Sequence, residues 1–578
     1  MPDTKSQLSK QIETEITDYY SKEVNIGDDV RFSQYYLSRR IVLFENKEYP
    51  NGKFDSQGNY KYWFDIIGSR IDSEVKNIDF DTKDIEAFSE REGDNLPIIV
   101  TNLTLKEYLR NHGQSQEIND AIEEGAGWGN ILWKKVSDGY ERADLRRTYI
   151  INQTAKTVDQ TPIVEWHELT QSDLRAKNGT WKYIDEVIME CGRKEDDKGE
   201  VYTYPLYDVF ERNGEVKLSD IKEFKGEKIH KDDDKKYVNA KVVAAGKKTS
   251  LGAEIKYILY AEQTIKKNSD RFKEYHRGRY KGRWFREGII ELLFDLQVRA
   301  NQIGNQIAQG LEYASKTIFT YDDNLVAQNF LTDLNNGDFL KTKSAKQLEV
   351  RMQGLDQLIA DWNRIVQLAN EITNSREVVQ GEAMPSGTPF RMGAMLNQNA
   401  NKLYDFIREK LEIPFREMFE EWIVPQLIKD LKAKDIIRLT GSSDMIRRVA
   451  EMIADDWYAR NLFNIGPHSS VVKDYLIQKK TQEILDRKQV LMSELESFFE
   501  GFRPNVSIVI TGENTTLDSD LQTLGSFIAL EQDPIRRSAM IEMAMNRKGI
   551  DVGALPKTEA PPTNAVAPAQ TLLNQQNG

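Results

Sequence analysis

Between Gly288 and Lys432 the chain carries long amphipathic repeats, and no other stretch restricts its fold as much. In the first repeat, Ile289, Leu292, Leu296, Ala300, Ile303, Ile307, Leu311 and Ala314 recur every three or four residues, the spacing of one helix face. At the usual helical rise such a rod is on the order of 40 Å long. A second stripe, Leu355, Ile359, Trp362, Val366, Ala369 and Ile372, gives a helix of roughly 30 Å. A loop, NSREVVQGEAMPSGTPF, then leads into a third helix from Arg391 to about Lys432, whose apolar face is rich enough to be buried. Pro414 and Pro425 are expected to bend it. Two rods with a thin apolar stripe cannot bury that stripe alone, so they must pack against copies of themselves or against other helices.

The rest of the chain has to supply the body that carries the rods. At 578 residues, with 39% hydrophobic and 10% aromatic side chains, it can fill several packed units, and global disorder is excluded. The first hundred residues read as helical and acidic. Asp79 to Asp94 holds seven acids against two bases, a solvated face or a dock for a basic partner. Thr104 and Glu107 have the spacing of a capping box opening a short helix, with Gly113 as its stop. Strand signals follow in NILWKKV, RRTYIIN and TPIVEW, with a hairpin signal at Asn213-Gly214. YVNAKVVAA and IKYILYA flank a GKKTS turn, and the loops KEDDKGE and HKDDDKK read as charged and mobile. An α+β fold, predominantly helical, with a domain built on an antiparallel sheet is the consequence. After Thr440 the chain reads as helical again, apart from a strand at VSIVITGE. The last 26 residues, 553–578, are rich in Pro, Ala, Gln and Asn and read as disordered.

Charge and special residues narrow the function. The net charge of −13 disfavours a simple DNA-coating protein, which would be basic. It suits an acidic wall past which a duplex can slide, and it equally suits plain solubility. The single cysteine, Cys191, fits a reducing compartment. No stretch has the length of a membrane span, and the N-terminus lacks the apolar core of a signal peptide. GKKTS lacks the glycine that a phosphate-binding loop needs five residues earlier, since position 241 is Lys. The five histidines show no metal-ligand spacing, and no catalytic, metal or cofactor site is expected.

The strongest charge anomaly is Lys266–Arg286, with nine bases against Asp270 and Glu274 and five aromatics interleaved. Such a mixture can hold phosphates and stack bases, or bridge carboxylates across a subunit interface. The interface reading is preferred, with Arg277, Arg279 and Arg283 tying one subunit to the next and Leu296, Ile303, Ile307 and Trp362 contributing apolar contacts.

Three stretches carry a resemblance: GRYKGRWFREGIIELLFDLQVRANQI, GEAMPSGTPFRMGAMLNQNANKLYDFIREKL and VSIVITGEN. With the order helix, small module, helix, Ser-Gly loop and long helix, the chain resembles the portal proteins of tailed bacteriophages over about half its length, from roughly residue 260 onward. The resemblance implies a ring of twelve subunits, each with a wing, a two-helix stem, a clip and a crown. Residues 1–287 would form the N-terminal region and wing, 288–315 and 354–373 the stem, and 316–353 an α/β clip that completes its strands by exchange between subunits. Residues 374–390 would form a tunnel loop, 391–432 a long kinked wing helix, 433–513 the remaining wing and crown, and 514–552 crown helices. In the tunnel loop Arg376, Gln380, Met384, Pro385, Ser386 and Thr388 would approach the DNA. The implied function is a structural DNA channel at one capsid vertex, used for packaging and ejection, made in a bacterial cytoplasm and retained in the virion. The implied partners are double-stranded DNA, the terminase large subunit, head-completion or tail-adaptor proteins, and the major capsid and scaffolding proteins, with no membrane. A nucleic-acid-processing enzyme and a non-viral oligomeric helical scaffold are the rival readings.

Overall fold

The computed structural model describes most of residues 6–508; residues 1–5, 55–57, 79–84, 196–200, 321–345, 349–353, 375–389 and 509–578 lie outside the description, with a few shorter breaks. All described elements belong to the unit Met1–Ile510. They are mixed α and β, with helix predominating.

Helix α1, Gln7–Ser21, starts at Ser6, whose hydroxyl accepts from the Ser9 N–H at 3.2 Å. A short hairpin of β1 (Val24–Gly27) and β2 (Val30–Phe32), helices α2 (Gln34–Glu45) and α3 (Gly68–Ile78), and strand β3 (Ile85–Phe88) follow, so the first hundred residues are less uniformly helical than expected. Helices α4 (Asn95–Asn111) and α5 (Gln114–Trp128) are separated by Gly113, which is left-handed at φ 62°. Thr104 does not open a helix. It lies inside α4 and donates its hydroxyl to the Val100 carbonyl at 2.9 Å. The buried run Leu96, Val100, Leu105 and Leu109 holds both halves of α4 to the core and overrides the local capping signal.

Strands β4 (Asn130–Val136), β5 (Gly139–Arg142), β6 (Thr148–Ile150) and β7 (Ile163–Leu169) come next, then the short helices α6 (Gln171–Ala176) and α7 (Ile184–Glu190). Strands β8 (Arg193–Glu195) and β9 (Val201–Lys217), helix α8 (Leu218–Lys225), and strands β10 (Tyr237–Thr249), β11 (Gly252–Gln263) and β12 (Phe272–His276) complete the region. They form two antiparallel sheets, one in the order β11-β10-β9-β7-β6 with β8 on β9, the other β12-β4-β5. Along β10, Val242 and Ala244 face the core under α1, while Val243 and Ala245 face that of α6 and α7. This is the period-two alternation of a sheet covered on both sides.

Two turn expectations are corrected here. Asn213-Gly214 sits inside β9, because β10 pairs with β9 without interruption from Tyr237 opposite Lys217 to Gly246 opposite Asp208. The glycine is needed for space: a Cβ there would fall 2.8 Å from the Pro162 Cα. The GKKTS turn moves to Ser250-Leu251, since Thr249 still pairs with Gly252. In HKDDDKK, expected to be mobile, the buried Asp233 carboxylate accepts from Lys222 Nζ and from the His230 N–H, both at 2.8 Å.

The long repeats form helices as expected, with breaks that periodicity alone does not mark. The first divides at Leu293 into α9 (Ile289–Leu292) and α10 (Phe294–Ser315). Strands β13 (Ile318–Thr320) and β14 (Lys346–Leu348) pair antiparallel, and α11 (Leu355–Thr373) returns beside α10. DFLKTK, VAQNFLTDL and Asn336-Gly337 lie outside the described residues. Helix α12, Phe390–Met418, continues through Pro414. The departure from α geometry comes later, as a π-helical turn at Phe419–Ile423 ahead of α13 (Val424–Lys432), which has Pro425 in its first turn. Strand β15 (Ile436–Arg438), helices α14 (Ser443–Ile465) and α15 (Ser470–Arg487), and strands β16 (Gln489–Leu491) and β17 (Asn505–Ile508) end the description. β15 pairs with β16, and β17 pairs with the distant β3.

Candidate functional site: the arginine-rich loop and the helix pair

Beyond β12 the arginine-rich segment becomes a loop tied into the body by nearly every charge it carries. Arg277 grips Glu74 of α3 through two hydrogen bonds, 2.7 and 2.8 Å, with both side chains buried. Burial alone would lower the Arg277 pKa, but the Glu74 carboxylate holds it above its ordinary value. Arg283 meets Glu291 at 2.7 Å and lies over the Phe32 ring at 4.8 Å. The Glu291 carboxyl is pushed up by burial, against the pull of Arg283. Arg286 stacks on Tyr280 at 4.3 Å and donates to the Arg283 carbonyl, and Trp284 donates its indole N–H to Glu274 at 2.6 Å. The buried Asn130 side chain closes the loop, accepting from the Arg286 N–H at 2.9 Å and donating to the Arg286 carbonyl at 3.1 Å. From α12, Lys410 donates to the carbonyls of His276 and Arg277 at 3.2 and 2.9 Å.

Two of the three arginines expected at a subunit interface are thus engaged within the chain. Arg277 and Arg283 pair with Glu74 and Glu291 of the same chain; of the three, Arg279 alone is exposed, with no acidic partner among the described residues. Counting charges along the sequence missed this because the key acid, Glu74, lies 203 residues from its arginine.

The apolar stripe of the helix pair is covered in part from within. Ala300 and Ile303 of α10 are fully buried in one core with Ile365 and Ala369 of α11, and Leu296, Ile307 and Trp362 pack half-buried against it. Within the single chain, Leu296, Ile303, Ile307 and Trp362, the apolar residues expected at a subunit interface, thus contribute to this core, Ile303 fully and the other three in part. Their cover is an extended strap, residues 62–66, which sequence reasoning did not identify. Gln297, Asn301 and Asn305, spaced four apart on α10, read its backbone like a neighbouring strand. The Ile66, Phe64 and Tyr62 N–H groups donate to Gln297 Oε1, Asn301 Oδ1 and Asn305 Oδ1 at 3.0, 2.9 and 2.8 Å. In return Gln297 Nε2 donates to the Phe64 carbonyl at 2.6 Å and Asn305 Nδ2 to that of Tyr62 at 2.9 Å. The match is metric: four helical residues rise about 6.0 Å and two extended residues about 6.6 Å. Gly304 leaves room for the Phe64 ring, which a Cβ would meet at 2.4 Å. The signal was present as a polar stripe beside the apolar one, but its partner carries no periodicity of its own.

Outside the strap the pair retains exposed apolar side chains at Val298, Leu311, Ile359, Leu368 and Ile372. Arg299 and Asp361 tie the two helices at 2.9 Å. The tunnel-loop residues Arg376, Gln380, Met384, Pro385, Ser386 and Thr388 lie outside the described residues; the description stops at Asn374, left-handed at φ 56°, and resumes at Phe390.

A third constellation joins the two sheets. Lys134 of β4 lies 3.1 Å from Glu165 on β7 and 3.2 Å from Glu211 on β9, and Lys241 of β10 lies 2.8 Å from Glu211. Burial pushes the Glu165 carboxyl up, while the two lysines hold that of Glu211 down in spite of burial. The neighbouring His167 ring is pushed down to about 4, by burial first and then by Lys134. With all four charges opposed this is an electrostatic joint between sheets. Among the described residues no group of three or more His, Cys, Asp or Glu side chains could hold a metal, and no helix is long and apolar enough to cross a membrane. Neither the protein-family models nor the curated proteins searched contain a match to this chain.

Proposed function

We propose that the chain is one subunit of a ring-shaped portal, a structural channel through which a double-stranded DNA genome is packaged into and ejected from a tailed-phage capsid. The observation that carries this reading is the path from Phe294 to Met418: out along α10, across the short β13–β14 pair, back along α11, and through 375–389 into the long α12. A helical hairpin with a three-residue strand pair at its end leaves strand edges and apolar side chains that repetition about an axis can cover. The exposed Leu311, Ile359, Leu368 and Ile372 and the unpaired Arg279 are the groups available for that contact. The net charge of −13 suits a wall that repels phosphate and lets the duplex slide. Terminase, tail-adaptor, capsid and scaffolding proteins are the partners such a ring would meet, and the virion is its final location.

Negative-stain imaging and light-scattering mass of the purified full chain test the proposal. Closed rings with a central opening wide enough for a duplex are expected. A monomer without an opening, or divalent-metal-dependent nuclease activity, would favour the rival readings instead. Deleting Gln380–Ser386 should leave the rings intact and impair DNA packaging or retention; normal virion yield and genome length would refute the role of that loop.

A further inference from the structure

A cleft of about 270 Å³ opens between α4 and α13, beside the turn from β4 to β5. Its floor is apolar, made by Tyr108, Ile423, Leu427 and Leu431, all buried. Its rim carries two exposed carboxylates, Glu107 of α4 and Asp430 of α13. Asp430 is oriented by Gln426, whose side-chain N–H donates to it at 2.9 Å. Neither carboxylate meets a lysine or arginine among the described residues, in a chain where acids such as Glu74, Glu211 and Glu291 are matched to bases at 2.7–3.2 Å. Ile423, in the floor, is the last residue of the π-helical turn, a departure from α geometry that is frequent at functional sites.

We propose that this cleft is a socket for an arginine side chain of a partner polypeptide. An apolar floor under an acidic rim matches a side chain whose stem is aliphatic and whose head is cationic. The planar guanidinium can address two carboxylates from one position, which the compact lysine ammonium does less well. His112, Asn111, Thr104 and Ser137 also line the cleft, but with Glu107 and Asp430 they make no group that could hold a metal ion, and an anion would be repelled by the two carboxylates. The inference stands apart from the ring reading, because it concerns one subunit and holds or fails in any oligomeric state.

The test is saturation-transfer difference NMR on the full-length protein, with the peptide acetyl-Gly-Arg-Gly-amide as probe. Transfer to the arginine methylenes is expected. It should weaken at least about tenfold when citrulline replaces arginine, which keeps the shape and removes the charge. The double variant Glu107→Gln, Asp430→Asn should show the same loss with an unchanged melting temperature, since both positions are exposed. Equal transfer to the citrulline peptide, or full transfer to the double variant, would overturn the socket. So would undiminished binding in Gln426→Trp, which fills the mouth of the cleft.

Discussion

The arginine-rich loop and the strap on α10 solve one problem by opposite means. Each holds an irregular backbone segment against a core, where its N–H and C=O groups need partners. The loop uses charge: Arg277 on Glu74, Arg283 on Glu291, Lys410 on carbonyls. The strap uses neutral amides, Gln297, Asn301 and Asn305, at a spacing that copies a strand. A charged joint is strong only while both members are present, since a buried ion left alone is penalised heavily. An amide ladder divides its strength among small equal steps and sets register instead.

Removing one member of the buried pair should separate the two most sharply. Glu74→Ala leaves Arg277 buried and unpaired and is expected to cost about 3–5 kcal/mol in denaturant unfolding. The double variant Glu74→Leu, Arg277→Met should recover most of that; a double variant as unstable as the single one would mean that the loss came from packing. Asn301→Ala should cost less, about 1–3 kcal/mol for the orphaned Phe64 N–H. It should also speed hydrogen exchange at that amide, whereas Glu74→Ala should leave its local protection alone.

The joint between the sheets gives a smaller, pH-dependent effect. His167 titrates near 4 in the folded chain against an ordinary 6.5, so between those values the unfolded chain binds more protons. Its contribution is therefore present above about pH 6.5 and lost as pH falls toward about 4. The groups facing it are Lys134, Glu165, Glu211, Lys241 and Arg147. His167→Gln should flatten the stability profile over that window and leave it unchanged above pH 7; an unchanged slope would assign the acid sensitivity to the carboxylates alone. Arg279→Glu should have the least effect on the single chain, within about 0.5 kcal/mol, as for other exposed positions. Loss of rings in that variant would make it an assembly residue, and intact rings would remove it from the interface.

What the sequence disclosed follows from the range of the forces involved. Periodicity located α10, α11 and α12 because the burial of a stripe is written along consecutive turns, and composition marked β4, β6, β7, β9, β10 and β11, whereas the short β5, β8 and β12 carried no such signal. Thr104 and Asn213-Gly214 misled because a local capping or turn signal is worth only about 1 kcal/mol, less than the packing of Leu96–Leu109 or an unbroken β9–β10 ladder. The partners of Arg277 and of the strap were invisible for a different reason. They depend on which distant segment the fold brings alongside, and no composition or spacing near residue 277 or residue 64 states it.

The π-helical turn at Phe419–Ile423 places one residue more in its turn than an α-helix would. That residue acts as a phase shift of about 100° between α12 and α13. Tyr404, Ile407, Leu411 and Phe415 before the turn and Val424 and Leu427 after it share one core with Trp133, and Leu431 at the far end enters another with Leu96 and Val449. One continuous rod in this way keeps a single core filled on both sides of the turn, and excising a single residue from it would swing Val424, Leu427 and Leu431 out of alignment.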